Sequence, residues 1–259
     1  MAKTQHYLYN RRGERAPANI NYHVTRSGRV PATIIKESRE DALAHAEKSC
    51  WPHPKGHVSF YADASKRDVK RSKATTSSGI SKKTPRQFGT AVCVTWRPIP
   101  NDCDQWDRCV VKTFWLDDSN AAEVYAAFVA VHIAIDESAW DPEVHTVVIY
   151  TDSVALLMAL EEFDRTDDGE WAVLYKESRI DVRELWKLAD ALDTLVHKCG
   201  KKVEMRWVPS HVAGESFGNW LADRYARKAA GEEARKMGSP SLGSQDYAAE
   251  EVTWYMHCH

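Results

Sequence analysis

The chain has 259 residues, of which 43% are hydrophobic and 28% are charged, and its formal net charge is −2. This length allows one folded core with terminal appendages and excludes two full-sized domains. No apolar run reaches the roughly 18–20 residues that a membrane span requires, and the first residues lack the apolar segment of a secretory signal. We therefore expect an intracellular protein that acts as a monomer and does not bind membranes.

Basic residues are concentrated in the first third of the chain. Residues 66–87 contain eight Lys and Arg against one Asp, and residues 1–57 contain ten against five acids. The 66–87 segment has almost no large apolar side chains, which predicts a long basic loop. A local basic patch can attract phosphates even on an acidic protein, so this pattern favours a nucleic-acid ligand.

The N-terminal residues 1–56 are predicted to form a basic extension or a small accessory unit. Within it, SREDALAHAEKSC is typical of one short helix, and Ser38 is its predicted N-cap. The alternating pattern of HVSFYADAS predicts a strand. After the basic loop, FGTAVCVTWRP and RCVVKTFWLDD predict a hairpin of two more strands.

The rest of the pattern alternates helices with strands. A helix is predicted from Ser119, its N-cap, to about Ile135, followed by the buried strand HTVVIYTDS and a second helix. A third helix over 181–197, the strand KKVEMRWVPSH and a last helix ending at Gly231 follow. Residues 232–259 are predicted to be a linker and a C-terminal tail. This order indicates a mixed α/β domain built on a single sheet.

Four acidic residues occupy positions that would bring their carboxylates to one end of that sheet. A cluster of like charges is reasonable if divalent cations neutralise it, and oxygen ligands suit Mg²⁺ or Mn²⁺. Two simpler explanations stay open: Asp152 could cap the helix that begins after it, and Asp223 could pair with Arg227. The four residues are Asp63, Glu123, Asp152 and Asp223.

The order of FYADAS, AAEVYA, VVIYTDS, RWVPSH and GNWLADRYARK resembles the type 1 ribonuclease H family, which includes the ribonuclease H domains of retroelement reverse transcriptases. The resemblance covers about residues 57–231, the predicted catalytic domain. It implies a five-stranded mixed sheet, three strands antiparallel and two parallel, flanked by helices. It also implies endonucleolytic hydrolysis of the RNA strand of RNA·DNA hybrids with two divalent ions, Mg²⁺ or Mn²⁺.

The resemblance assigns roles to individual residues. The four carboxylates would be catalytic metal ligands, and His211 would assist proton movement or product departure. Ser65 and Asn219 would contact the substrate. The sequence departs from the family pattern in four places. Seven residues separate His211 from Asn219 where five are usual, Ser210 replaces a usual Gly and Trp220 replaces a usual Glu. The acidic stretch 161–170 stands where some relatives have a basic substrate-binding handle. We expect the basic loop 66–87 to contact the backbone instead.

Other interpretations remain. A related nuclease of the same superfamily could act on DNA, and a domain of retroelement origin could bind nucleic acid without catalysis. A zinc site is a further candidate, because cysteine and histidine recur at ligand-like spacings, although incidental residues of a linker and a tail would look the same. The residues concerned are Cys50, His53, His57, His257, Cys258 and His259.

Overall fold

The computed structural model describes residues 30–50, 54–69, 88–97, 106–113, 118–165, 171–173, 182–210, 216–238 and 251–255. His211, most of the basic loop, His53 and the final His-Cys-His of the chain lie outside the described residues. The described strands are β1 (Thr33–Ile35), β2 (His57–Asp68), β3 (Phe88–Trp96), β4 (Asp107–Thr113), β5 (Thr146–Thr151), β6 (Phe163–Arg165), β7 (Trp171–Val173), β8 (Lys202–Trp207) and β9 (Glu251–Tyr255). The described α-helices are α1 (Arg39–Cys50), α2 (Ser119–Ser138), α3 (Val154–Glu161), α4 (Val182–Asp193) and α5 (Phe217–Gly238).

The main sheet confirms the predicted fold class. Its strand order is β1-β8-β5-β2-β3-β4-β9, with β2, β3 and β4 antiparallel and β5 and β8 parallel to β2. The predicted count of five strands was too low, because β1 adds to one edge and β9 to the other. Both are short edge strands, and an edge strand is held by hydrogen bonds to its neighbour that a local pattern does not reveal. Strands β6 and β7 form a separate hairpin.

Helix ends differ from the prediction at two points. Helix α1 begins as expected, with the Asp41 backbone N–H donating to the Ser38 hydroxyl at 3.2 Å. Helix α2 is capped by Asp118, one residue before the predicted cap, through a 3.4 Å bond from the Ala121 N–H. Helix α5 continues past Gly231 to Gly238, because its second half packs on the sheet and this packing outweighs the helix-ending preference of glycine.

Helices cover both faces of the main sheet. Phe60 and Ala62 of β2 face the core shared with α2, α3 and α4, whereas Tyr61 faces Tyr150 and the Ala222 side chain of α5. This alternation is the two-residue period of a strand. Among the described residues, no helix combines the length and apolarity that crossing a bilayer requires.

Helix α1 is anchored on the α5 face of the sheet. The Tyr61 hydroxyl donates to the Ala46 carbonyl at 3.0 Å, and His45 Nδ1 lies 2.6 Å from the Tyr150 hydroxyl. Since β1 also pairs with β8, residues 30–50 are built onto the same sheet as the rest of the fold.

Candidate active site

Strand register brings two of the predicted carboxylates together. Strands β2 and β5 are parallel, and Tyr61 of β2 lies beside Tyr150 of β5. Asp63 follows Tyr61 by two residues and Asp152 follows Tyr150 by two residues, so the two aspartates lie at the same level of the sheet. Asp63 is still within β2 and buried at 3% exposure, whereas Asp152 lies just beyond the end of β5. The carboxyl ends of parallel strands are where ligand sites of open sheets form.

Helix α2 supplies the third carboxylate. Glu123 lies in the second turn of this helix, which packs against β2. One oxygen each from Asp63, Glu123 and Asp152 lies within 4.8 Å of the others. Three elements that are distant in sequence therefore converge on one acidic cluster, which is the arrangement predicted from the motifs.

Burial and mutual repulsion disfavour the charged forms of Asp63 and Glu123. Burial, and then the negative charges of Asp152 and Asp223, raise the pKa of Asp63 well above its usual range. Burial, and then the charges of Asp63 and Asp152, raise the pKa of Glu123 in the same direction. A hydrogen bond from the Ala64 backbone opposes the rise of the pKa in both cases but is the smaller effect.

The cluster also contains carboxylate oxygens that no protein group satisfies. Asp63 Oδ2 and Glu123 Oε2 are both buried and have no hydrogen-bond partner among the described residues. Leaving such an acceptor buried costs about 1–3 kcal/mol, and more for a charged group. A divalent cation would both neutralise the charge and coordinate these oxygens, and oxygen-only donors suit Mg²⁺ or Mn²⁺. The residues present therefore fit the predicted metal site.

Asp223 approaches the cluster from α5 but has a partner of its own. Arg227 Nε donates to Asp223 Oδ1 at 2.7 Å, which is the ion pair that the four-residue spacing predicted. Asp223 is near enough that its charge contributes to the raised pKa of both Asp63 and Glu123. The corresponding simple explanation for Asp152 was wrong, because the N-cap of α3 is Ser153, whose hydroxyl accepts from the Leu156 N–H at 3.2 Å.

The two predicted substrate-contacting residues differ in exposure. Ser65 follows Asp63 by two residues on β2, on the same face of the strand, and is partly exposed. Asn219 is fully buried in the first turn of α5, one turn before Asp223. His211 lies outside the described residues, and its role remains a prediction.

The zinc hypothesis gains little from the described residues. The His57 and His145 rings meet edge to face, with centroids 5.5 Å apart. Within the part of the chain that the structure describes, the group of side chains placed to share a metal ion is the acidic cluster, and it includes neither histidine.

One surface feature was missed in the sequence. The exposed rings of Phe217 and Trp220 and the partly buried ring of Trp106 form an aromatic group beside the start of α5, which we call the aromatic platform. The sequence feature that could have predicted this platform is the pair of aromatic residues in SFGNW. Its second member, Trp220, stands where the family usually has an acidic residue.

Comparison with known proteins decides the family. A family model described as RNase H matches residues 55–231, which is more than half of the chain. The chain belongs to the RNase H family. The match spans the predicted catalytic domain and contains all four acidic residues. The chain is therefore an RNase H-type nuclease domain by descent.

A search of solved structures found matches of low sequence identity. RNase H1 from the halophilic archaeon Halobacterium salinarum NRC-1 is 17% identical, with a TM-score of 0.38 over 68% of this chain and 99% of that one. A foamy viral protease-reverse transcriptase in complex with dsDNA is 15% identical, with a TM-score of 0.37 over 71% of this chain and 95% of that one. Native prototype foamy virus protease-reverse transcriptase is 15% identical, with a TM-score of 0.40 over 74% of this chain and 22% of that one. No curated protein sequence matches the chain.

Proposed function

We propose that this protein is a metal-dependent endonuclease that hydrolyses the RNA strand of RNA·DNA hybrids. The observation that carries the proposal is the convergence of Asp63, Glu123 and Asp152 within 4.8 Å, with two of their oxygens buried and unsatisfied. When its carboxylates are charged, such a cluster destabilises the fold unless cations neutralise it. It is therefore better explained by metal binding than by structural support.

The four carboxylates would hold two divalent ions, Mg²⁺ or Mn²⁺. When bound, these ions supply an activated water and stabilise the departing oxygen of an in-line displacement. Asp63 and Glu123 are set in the rigid sheet and in α2, so their positions are largely determined before substrate arrives. Asp223 would add a carboxylate from the α5 side, with Arg227 orienting it through the 2.7 Å contact.

His211 would move a proton at the reacting phosphate or assist product departure, since an imidazole titrates near neutral pH. Ser65, partly exposed next to Asp63, would contact the RNA strand, and Asn219 is expected to serve substrate binding as in the family. RNA would be distinguished from DNA through 2′-hydroxyl contacts across the shallow minor groove, with little dependence on base identity.

The long hairpin of β2 and β3 would guide the nucleic-acid backbone. Beyond Asp63 the two strands stay paired as far as Asp68 and Phe88, so residues 66–68 of the predicted loop belong to β2 instead. Lys66 lies 3.7 Å from the Phe88 ring centroid, so the described start of the loop already carries cationic charge beside the site. We propose that 57–231 acts as a monomeric catalytic unit, with β1 and β9 extending its sheet and α1 packed on the face that carries Tyr61.

Cleavage of a labelled RNA·DNA hybrid with Mg²⁺, Mn²⁺ or a chelator tests the proposal. We expect internal cuts in the RNA strand with either metal, none with the chelator, and loss of cleavage in Asp152→Asn. Asp68→Asn, an exposed position on β2, is the matched control and should cleave like the parent. Duplex DNA and duplex RNA are assayed in parallel. Cleavage of duplex DNA alone would favour the related DNA nuclease, and binding without any cleavage would favour the silent domain.

A further inference from the structure

The aromatic platform exposes large rings that a folded protein usually buries. Phe217 is 52% exposed and Trp220 39% exposed. Their rings stack on each other with centroids 5.6 Å apart and 26° between planes, and Trp106 meets Phe217 edge to face at 5.7 Å. The platform is therefore an ordered surface in which one aromatic ring supports the next.

The platform is held rigidly from below. Trp106 packs on the buried Tyr61 ring at a centroid distance of 5.8 Å. The first turn of α5 lies so close to the same ring that a Cβ on Gly218 would come within 2.4 Å of it. Thr95 also donates to the Gly218 carbonyl at 2.8 Å. These contacts fix the start of α5 and with it the orientation of the exposed rings.

Positive charge continues from the platform along the outer face of α5. The Arg224 guanidinium lies 5.0 Å from the Trp220 ring centroid, and Lys228 is exposed one turn further on. Residues 220, 224 and 228 follow at four-residue intervals, so they line one face of the helix. Arginine beside exposed aromatic rings is the combination that single-stranded nucleic-acid sites use, with cations for phosphates and rings for bases.

The platform also lies next to the acidic cluster. Trp220 precedes Asp223 by three residues on the same helix, and side chains at this spacing are neighbours on the helix surface. Along α5, Trp220 therefore lies on the N-terminal side of Asp223, and Arg224 and Lys228 lie on its C-terminal side.

We propose that the aromatic platform binds unpaired nucleobases of a single-stranded segment that continues from the duplex in the active site. The ligand class rests on the proposed function, because proximity to the cluster is what makes nucleic acid the expected occupant. A partner protein with an apolar surface is the competing occupant. The line of exposed cations running from Trp220 favours the nucleic acid, since an apolar partner would leave those charges desolvated and uncompensated.

Direct binding of a single strand tests the platform without depending on cleavage. The probe is a fluorescently labelled oligodeoxythymidine of about 12 nucleotides, within the usual site size of single-strand binders, compared with an abasic strand of equal length. Anisotropy is measured in chelator with the full chain. We expect Trp220→Ala to weaken oligodeoxythymidine binding by about five-fold or more, the usual effect of losing one stacked base, and to leave abasic binding unchanged. Trp220→Phe should retain most of the affinity.

Trp140→Ala is the matched control, since Trp140 is 90% exposed just after α2, in the opposite helical layer. It should bind both strands like the parent. Equal affinity of Trp220→Ala and the parent for oligodeoxythymidine, at unchanged thermal stability, would overturn the proposal and leave a protein-docking surface. Equal losses on the two strands would also overturn it, because the effect would then be one of charge. Hybrid cleavage by the parent is measured separately, so a parent that binds as expected but cleaves nothing contradicts only the proposed enzyme.

Discussion

Asp63→Asn should stabilise the metal-free protein while abolishing cleavage. Asp63 is buried, and an oxygen of it lies within 4.8 Å of oxygens of Glu123 and Asp152. Two unit charges at 4.8 Å repel by about 3 kcal/mol at an effective dielectric constant of about 20. Glu123 and Asp152 are only partly buried as whole residues, so solvent screening reduces the expected gain to about 1–2 kcal/mol. For a chain of this size, that gain corresponds to a rise in Tm of roughly 3–6 °C.

The stabilisation expected for Asp63→Asn increases with pH. Because the pKa of Asp63 is raised in the folded state, its contribution to stability is fully present below the unfolded pKa of about 4 and is lost as pH rises through the folded pKa. In chelator the penalty is larger at pH 8 than at pH 5, and Asp63→Asn removes it. Mass action predicts that Mg²⁺ at about 100 times its Kd stabilises the parent by about 2.7 kcal/mol. The variant should respond much less.

The assay is thermal unfolding at pH 5 and pH 8, with chelator and with Mg²⁺, alongside hybrid cleavage. Asp68→Asn removes a charge from the exposed end of the same strand and should change neither quantity. A variant that is less stable than the parent in chelator at pH 8, or one that still cleaves the hybrid, would refute the assignment of Asp63 to a repulsive metal-binding cluster.

Further substitutions test the fold and the substrate path. Gly89→Ala should destabilise the protein by about 2 kcal/mol or more, because the new Cβ would come within 2.3 Å of the Ala234 backbone nitrogen. Gly231→Ala should instead stabilise the protein by about 0.5–1 kcal/mol, because the nearest atom to its Cβ would be 3.7 Å away. Urea unfolding measures both changes. Burial lowers the pKa of His132 to about 4, so the free energy of unfolding of the parent should fall as pH falls from about 6.5 to 4. His132→Gln should show a smaller fall over the same pH range in urea unfolding. Neutralising the basic residues of 66–87 should weaken hybrid binding and reduce the dependence of binding on salt. Anisotropy at several salt concentrations measures both. An unchanged dependence on salt would exclude contact between this segment and the nucleic-acid backbone.

Local patterns predicted the elements that carry the candidate site. HVSFYADAS and HTVVIYTDS read as strands, and once they are paired in parallel register their aspartates must lie side by side. The Ser38 cap was also predictable, because one hydroxyl and one nearby N–H are enough to specify it. Element boundaries were less certain: Asp118 and Ser119 are both good capping residues, and only the backbone conformation selects the first.

The sequence by itself determined the order of the five central strands and of the helices, the family, and which carboxylates are candidates for metal binding, because these depend on short-range periodicity and on motif order. Only the tertiary structure decided that β1 and β9 complete the sheet edges and that α5 continues past Gly231. It also decided that Phe217 and Trp220 remain exposed on a rigid base. Each of these outcomes depends on contacts between residues far apart in the chain, whose free energies outweigh local preference and leave no local signal.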